Sequence, residues 1–401
     1  MVLFIGLPDL CDWRGRNCDR KVKDSNVGRM SDEARMSEAV KEDRSKVATS
    51  KQASAASGVH SASLEQFGYV WNESGQLRCK KTDAPYQFDA YNGDKAKNQE
   101  RYEALGDLIT EVIYDKLEAA GCKRIFVPVD ASEDDPRGFF FATDDAWDNK
   151  VGLAVLIHGS GAVRAGQWAR RLIINESLDA GSQLPYIDQF KRRGFGVVVL
   201  NTNLNRAPDS QGKLQYIEGN ARPEEHGVYV WRHFIQKAKA PRIVVVAHSA
   251  GGCVAQTIAR TFEDDFVERV AAVCLTDSMH SSPLDERTQS AWWKHMLNVS
   301  QNWVTSCRPV GAREKRRFGG VLCASAGTPT HEETSWKAMG SVFEFIDERT
   351  SKPVGNGSGR GASNDLPLKK ARSEEETDES SNGVDASDDG FEVLGSTIAD
   401  E

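Results

Sequence analysis

From residue 151 onward the chain alternates short continuous apolar runs with stretches whose apolar residues recur every three to four positions. The run 151–157 is apolar throughout, as expected of a central parallel strand buried on both faces. Helical segments near 164–175 and 183–193 lead to a second run at 195–200. The amphipathic stretch 224–238 precedes 243–246, and 251–262 precedes 270–275. A strand at 321–325 and a helix at 335–347 close the series. This alternation predicts an α/β fold with a doubly wound, mostly parallel sheet.

The pattern upstream differs. Phe67-Gly68-Tyr69-Val70-Trp71 and Gln76-Leu77-Arg78-Cys79, with a Gly-containing loop between them, predict a β-hairpin. Leu105, Leu108, Ile109, Val112, Ile113 and Leu117 are spaced for one buried face of a helix over about 99–120. Strand candidates follow at 124–129 and 139–142. Residues 1–62 and 350–401 show no sustained periodicity and are rich in small and charged residues, so both termini are expected to be disordered. The domain is expected over 63–349, with 151–345 as its core. Apolar residues make up 39% of the 401-residue chain, and disordered ends account for that low figure.

In open parallel sheets the functional crevice lies at the carboxyl ends of the strands. What stands there is His158-Gly159-Ser160-Gly161 after 151–157, His248-Ser249-Ala250-Gly251-Gly252 after 243–246, Thr276-Asp277-Ser278 after 270–275, and Gly327-Thr328-Pro329-Thr330-His331 after 321–325. Ala247-His248-Ser249-Ala250-Gly251 fits a nucleophile elbow, in which small neighbours let the serine occupy a strained strand-to-helix turn. The chain order Ser249, Asp277, His331 is that of nucleophile, acid and base in α/β-hydrolases. A serine hydroxyl needs a histidine to take its proton, and the carboxylate fixes the histidine tautomer. His280, three residues after Asp277, competes for the role of base. His248 is expected to point away from Ser249. The oxyanion hole would use the backbone N–H of Ala250 and one from the turn of Gly159, Ser160 and Gly161. Asp277 could instead serve as a helix N-cap. Arg164, Arg170 and Arg171 could meet an anion but suit a solvated helix face, and the span 278–318 is long and Trp-rich enough to supply a lid.

Other chemistries find little support. No metal-ligand spacing and no dinucleotide or P-loop glycine pattern is present, so no metal and no cofactor is expected. A net charge of -8 provides no global basic surface for direct nucleic-acid binding. Eight scattered cysteines without a CxxC pair suit reduced thiols, with Cys253, Cys274 and Cys323 in apolar runs that read as buried. No apolar run approaches the roughly 20 residues that cross a bilayer. Residues 1–10 lack the basic start of a signal peptide. Lys369-Lys370-Ala371-Arg372 is a short basic cluster that could serve nuclear import.

Several blocks resemble one family. Trp71-Asn72-Glu73-Ser74-Gly75-Gln76-Leu77-Arg78, Gln99-Glu100-Arg101-Tyr102-Glu103-Ala104-Leu105-Gly106, Leu156-Ile157-His158-Gly159-Ser160-Gly161 and Ala165-Gly166-Gln167-Trp168-Ala169-Arg170-Arg171 are similar to the argonaute-binding "Arb-two" domain family. So are His248-Ser249-Ala250-Gly251-Gly252, Thr276-Asp277-Ser278, Ser325-Ala326-Gly327-Thr328 and His331-Glu332-Glu333-Thr334-Ser335-Trp336. The likeness covers about residues 64–347 and is nearest to the animal cotranscriptional regulators. It implies an α/β-hydrolase-like fold and an adaptor role beside an argonaute-type protein in small-RNA silencing, with chromatin and alternative-splicing factors as further partners. It also implies nuclear and cytoplasmic location. The family's proposed nucleophile falls on Ser249, which leaves a serine hydrolase acting on a small acyl substrate as the alternative reading. The chain departs from animal members at Ala250, where they carry an aromatic. Residues 202–222 are shorter than the members' charged insert. The ending Ile398-Ala399-Asp400-Glu401 lacks the endoplasmic-reticulum-retention-like signal of some members, which argues against a luminal location.

Overall fold

The computed structural model describes residues 59–282 and 290–351. The expectations for the leader up to residue 58, for the tail from 352 and for the Lys369-Lys370-Ala371-Arg372 cluster lie outside the described residues.

A helix, Val59–Phe67, is followed by the hairpin of β1 (Tyr69–Trp71) and β2 (Leu77–Cys79). Its turn closes because Asn72 Oδ1 accepts the N–H groups of Ser74 and Gln76 at 3.1 and 2.8 Å, and Gly75 supplies the φ of +69°. The helix Lys95–Ala119 then runs for 25 residues from the Asp94 N-cap, whose carboxylate accepts the Lys97 N–H. Leu105, Ile109, Val112, Ile113 and Leu117 are fully buried along it, and Leu108, at the margin of that face, is half-buried.

The main sheet comprises β3 (Cys122–Val127), β4 (Gly138–Thr143), β5 (Leu153–Ile157) and β6 (Gly196–Val199). A separate two-stranded ribbon, β7 (Arg206–Pro208) with β8 (Leu214–Tyr216), interrupts the chain before the sheet resumes. The remaining strands are β9 (Ile243–His248), β10 (Val270–Thr276), β11 (Ser300–Val304), β12 (Arg313–Phe318) and β13 (Val321–Ser325). Among the described residues the sheet has nine strands, ordered β12-β13-β11-β10-β9-β5-β6-β4-β3. The six from β13 to β6 are mutually parallel. β12 at one edge and β4 beside β6 run against them, and β3, antiparallel to β4, forms the other edge. This is a mostly parallel α/β-hydrolase-like sheet, as the alternation of apolar runs predicts.

Helices cover both faces, and the continuous apolar runs follow from that. Leu153, Val155 and Ile157 of β5 pack into one layer with Trp231, Val254, Ile258 and Met296. Ala154 and Leu156 turn to the other side, against Ile109, Ile113, Phe190 and Val342. All five β5 side chains are fully buried, and each large one contributes on the order of 1.5–3 kcal/mol by leaving water.

Chain direction then locates the site. After β5 the chain moves to β6 on one side, then crosses back to β9 on the other side of β5. The loops after β5 and β9 therefore diverge and open a crevice, the switch point where open α/β sheets bind ligands. Register aligns the loops. Ile157 pairs with Ala247, and His248 pairs with Thr276, so Gly159, Ser249 and Asp277 all leave the sheet at one edge.

Two strands of the main sheet escape the apolar pattern. β11 reads Ser300-Gln301-Asn302-Trp303-Val304, and β12 carries Arg313, Lys315 and Arg317. The span 278–318, long enough for a lid, holds the helix Ala291–Val299 and both of these strands; residues 283–289 within it lie outside the described residues. Among the described residues no helix is long and apolar enough to cross a membrane.

Candidate active site

Ser249 follows β9 directly and precedes the helix Gly251–Thr261. Its φ is +52°, a left-handed conformation that costs a non-glycine residue of order 1–3 kcal/mol and persists only where the surroundings impose it. The backbone does so here. The Ser249 N–H donates to Thr276 O at 3.0 Å, and its carbonyl accepts the N–H groups of Met279 and Gly252 at 3.0 and 3.1 Å. The glycines after it are required by space. A Cβ on Gly251 would lie 2.7 Å from Ile157 O and 2.8 Å from His158 O, and one on Gly252 would lie 1.8 Å from Ser278 Oγ. Ser249 is 7% exposed.

Asp277 follows β10 with a φ of +45°. It caps no helix: its Oδ1 accepts the Thr305 N–H at 3.3 Å and its Oδ2 lies 2.7 Å from His331 Nδ1. A carboxylate oxygen accepts, so Nδ1 carries the proton and Nε2 presents its lone pair. Burial alone would push the Asp277 carboxyl up, but hydrogen bonds from His331 and Thr305 outweigh it and the carboxyl falls below its usual range. The same hydrogen bond raises His331 against the opposing effect of its partial burial. His331 begins a single helical turn after β13, the position from which it reaches across to β10.

His280 is committed elsewhere. Its Nε2 donates to Phe318 O at 2.9 Å and its Nδ1 accepts the Ser278 hydroxyl at 2.9 Å, with the residue 1% exposed. Of the two candidate bases, His331 is the one brought onto Asp277. His248 donates from Nδ1 to Thr276 O at 3.0 Å and is held neutral by burial, its pKa driven down to about 3. Its ring lies 4.8 Å from that of His331, centroid to centroid.

The turn of Gly159, Ser160 and Gly161 adjoins the elbow, since a Cβ on Gly159 would lie 3.1 Å from Ser249 Cβ. Among the described residues the N–H groups of Gly159, Ser160, Gly161 and Ala250 have no acceptor within the protein. Asn203, which sequence reasoning passed over, reaches this turn from the segment after β6. Arg170 is no solvated residue. Its Nη2 donates to Ala162 O at 2.9 Å, and its guanidinium fills the notch left by Gly106, where a Cβ would lie 2.5 Å from Nη1. Arg171 does face solvent, loosely paired with Glu332 at 3.5 Å. Cys274 and Cys323 are buried as expected, while Cys253 is partly exposed with its thiol on Met279 O at 3.4 Å. Among the described residues no group of three or more His, Cys, Asp or Glu could hold a metal ion.

A family model for the Arb2 domain matches residues 60–310. The chain belongs to the Arb2 domain family. Among its Arb2 relatives, the Cotranscriptional regulator ARB2A of Homo sapiens is 39% identical over 335 residues, covering 71% of this chain and 80% of the relative. The Cotranscriptional regulator ARB2A homolog of Dictyostelium discoideum is 30% identical over 319 residues, covering 71% and 79%. Among solved structures, a bacterial heroin esterase aligns over 67% of this chain and 93% of its own, at 15% identity and a TM-score of 0.33. At that similarity it is the strand order and the elbow, rather than the overlay, that identify the fold.

Proposed function

We propose that this Arb2 protein is a regulatory adaptor acting on transcription, in the nucleus and also in the cytoplasm, that keeps a serine-hydrolase centre in its scaffold. The regulatory half is supported by 39% identity to a cotranscriptional regulator across most of both chains. Its partners in this reading are an argonaute-type protein and chromatin or splicing factors. Co-precipitation tests it: argonaute should be recovered equally with the wild-type chain and with Ser249→Ala. Failure to recover it with either would overturn the argonaute assignment.

The chemical half is carried by one observation, the 2.7 Å His331–Asp277 hydrogen bond beside a serine held at φ +52°. In this reading Ser249 Oγ adds to the carbonyl carbon of an ester, amide or thioester while its proton passes to His331 Nε2. Asp277 stabilises the resulting imidazolium. The carbonyl oxygen takes the negative charge opposite the N–H of Ala250 and one from the 159–161 turn, donors worth about 2.7–4 kcal/mol each where one has been removed from a hydrolase. Collapse of the adduct expels the leaving group, which takes the proton from His331. Water, activated by the same imidazole, then frees the acid and restores the serine. The Ser249 hydroxyl is not yet bonded to His331, and such contacts tighten when substrate fills an empty site. A fluorophosphonate probe should label Ser249, and Ser249→Ala should abolish labelling without unfolding the domain. A folded wild-type protein that takes no label would remove the hydrolase half.

A further inference from the structure

β6 is followed by Asn201-Thr202-Asn203-Leu204-Asn205, three asparagines at alternate positions on the carboxyl edge of the sheet. The outer two anchor the segment. Asn201 Oδ1 accepts the Ala165 N–H at 3.0 Å, and Asn205 Nδ2 donates to Thr202 O and Asn220 O at 3.0 and 2.8 Å. The middle one faces the turn after β5. Asn203 Nδ2 lies 3.0 Å from Gly159 O, 3.1 Å from Gly161 O and 3.1 Å from Val163 O. One amide has two N–H bonds, so three carbonyls share them. Arg170 Nη2 takes the carbonyl between, Ala162 O, at 2.9 Å.

Together these two side chains engage the carbonyls of residues 159, 161, 162 and 163. In a planar trans peptide the carbonyl of one residue and the N–H of the next point in opposite directions. Gly159 O accepts from His158 Nδ1 at 2.8 Å as well as from Asn203 Nδ2, and drawing it onto these two donors turns the Ser160 N–H away from them. That N–H is the one released by the residue that abuts Ser249, and among the described residues it has no acceptor. We infer that Asn203 is a positioning residue of the oxyanion hole, holding the turn beside His158 so that the Ser160 N–H, with that of Ala250, receives the developing oxyanion. Arg170 is its counterpart at Ala162 O, seated there because Gly106 leaves room for it. This inference rests on the hydrolase half of the proposed function and assigns the second donor of that site to one residue.

The decisive substitution is Asn203→Asp. It keeps the side-chain shape, removes both donors and sets a carboxylate oxygen against three carbonyls. With p-nitrophenyl acetate the expected result is a fall in kcat of about 10²–10³-fold, the effect of losing one oxyanion donor, with KM within about threefold. Fluorophosphonate labelling should slow in parallel. Asn203→Ala, which adds no charge and guards against a folding defect, should show the same split between kcat and KM with a smaller fall. Amide hydrogen exchange supplies a readout free of turnover: deuterium uptake over 159–168 should accelerate at least tenfold in both variants, while the β9 and β10 amides stay as slow as in the wild type. An unchanged kcat, a change confined to KM, or equal uptake over 159–168 would each overturn the inference. If the wild type neither turns over the ester nor takes the label, the hydrolase reading is what fails. The uptake over 159–168 then decides the clamp alone.

Discussion

In the proposed hydrolase His331 must be neutral to accept the Ser249 proton, and its neighbour makes that harder. The hydrogen bond from Nδ1 to Asp277 stabilises the imidazolium, so His331 titrates above the ordinary histidine value of about 6.5. The sign for activity is therefore fixed. The labelling rate of Ser249 should rise with pH through an apparent pKa above about 6.5, and Asp277→Asn should both slow labelling, by about 10⁴-fold, and move that midpoint down. A midpoint that stays put in Asp277→Asn would mean that another group titrates. His331 and Asp277 are legible from the sequence because each follows an apolar run that must be a strand, and strand ends are where such sheets place chemistry. The choice between His331 and His280 is not legible. His280 stands three positions after Asp277, and only the loop path, which ties both His280 nitrogens to Ser278 and Phe318, removes it.

At the scale of elements the elbow depends on how closely the helix Gly251–Thr261 approaches β5. Gly251 is the pivot, because a Cβ there would press on two backbone carbonyls, Ile157 O and His158 O, neither of which can rotate away. Gly251→Ala should accordingly cost about 1–3 kcal/mol, read as a lowered urea midpoint at unchanged m-value, and should abolish labelling even where the protein remains folded. Full labelling by Gly251→Ala would show that helix and strand can part without loss of the site. The same element scale separates what the pattern of residues could foretell from what it could not. β5, β6, β9 and β10 are foretold because both faces are buried and each is apolar up to its last residue, His248 and Thr276 being the polar ends of β9 and β10. β11 is missed because Ser300 and Asn302 are buried polar residues, Asn302 being held by the Ser278 N–H at 3.2 Å. β12 is missed because an edge strand faces water and carries charge, which also discourages pairing with another chain. Asn203 is missed for a different reason. A polar residue after a strand reads as loop until the structure shows which carbonyls it meets.

Across the whole molecule, burying the site's supporting residues makes stability depend on pH. His158, His226 and His248 stand at or near the carboxyl ends of β5, β6 and β9, and each is at most 3% exposed. Burial is the main cause in all three and holds them neutral, with pKa values lowered to about 4, 3 and 3. The unfolded chain has no such restraint and protonates each at about 6.5. Between that value and pH 4 the unfolded state therefore binds more protons than the folded one, so stability rises with pH and is lost on acidification. Each group contributes up to about 1.4 kcal/mol per pH unit in this window, and His280 and His295, also depressed by burial, act in the same direction. His331 acts oppositely. Its raised value adds stability below about pH 6.5 that is lost as pH climbs through its folded pKa. The urea midpoint should thus fall steeply from pH 7 to pH 5, before most carboxylates titrate. His226→Gln, which can still accept the Asn201 N–H and donate to Asn220, should flatten the slope by about one proton. An unaltered slope in that variant would mean that the His226 ring is charged within the fold, and that the neutral layer beneath the catalytic edge does not exist.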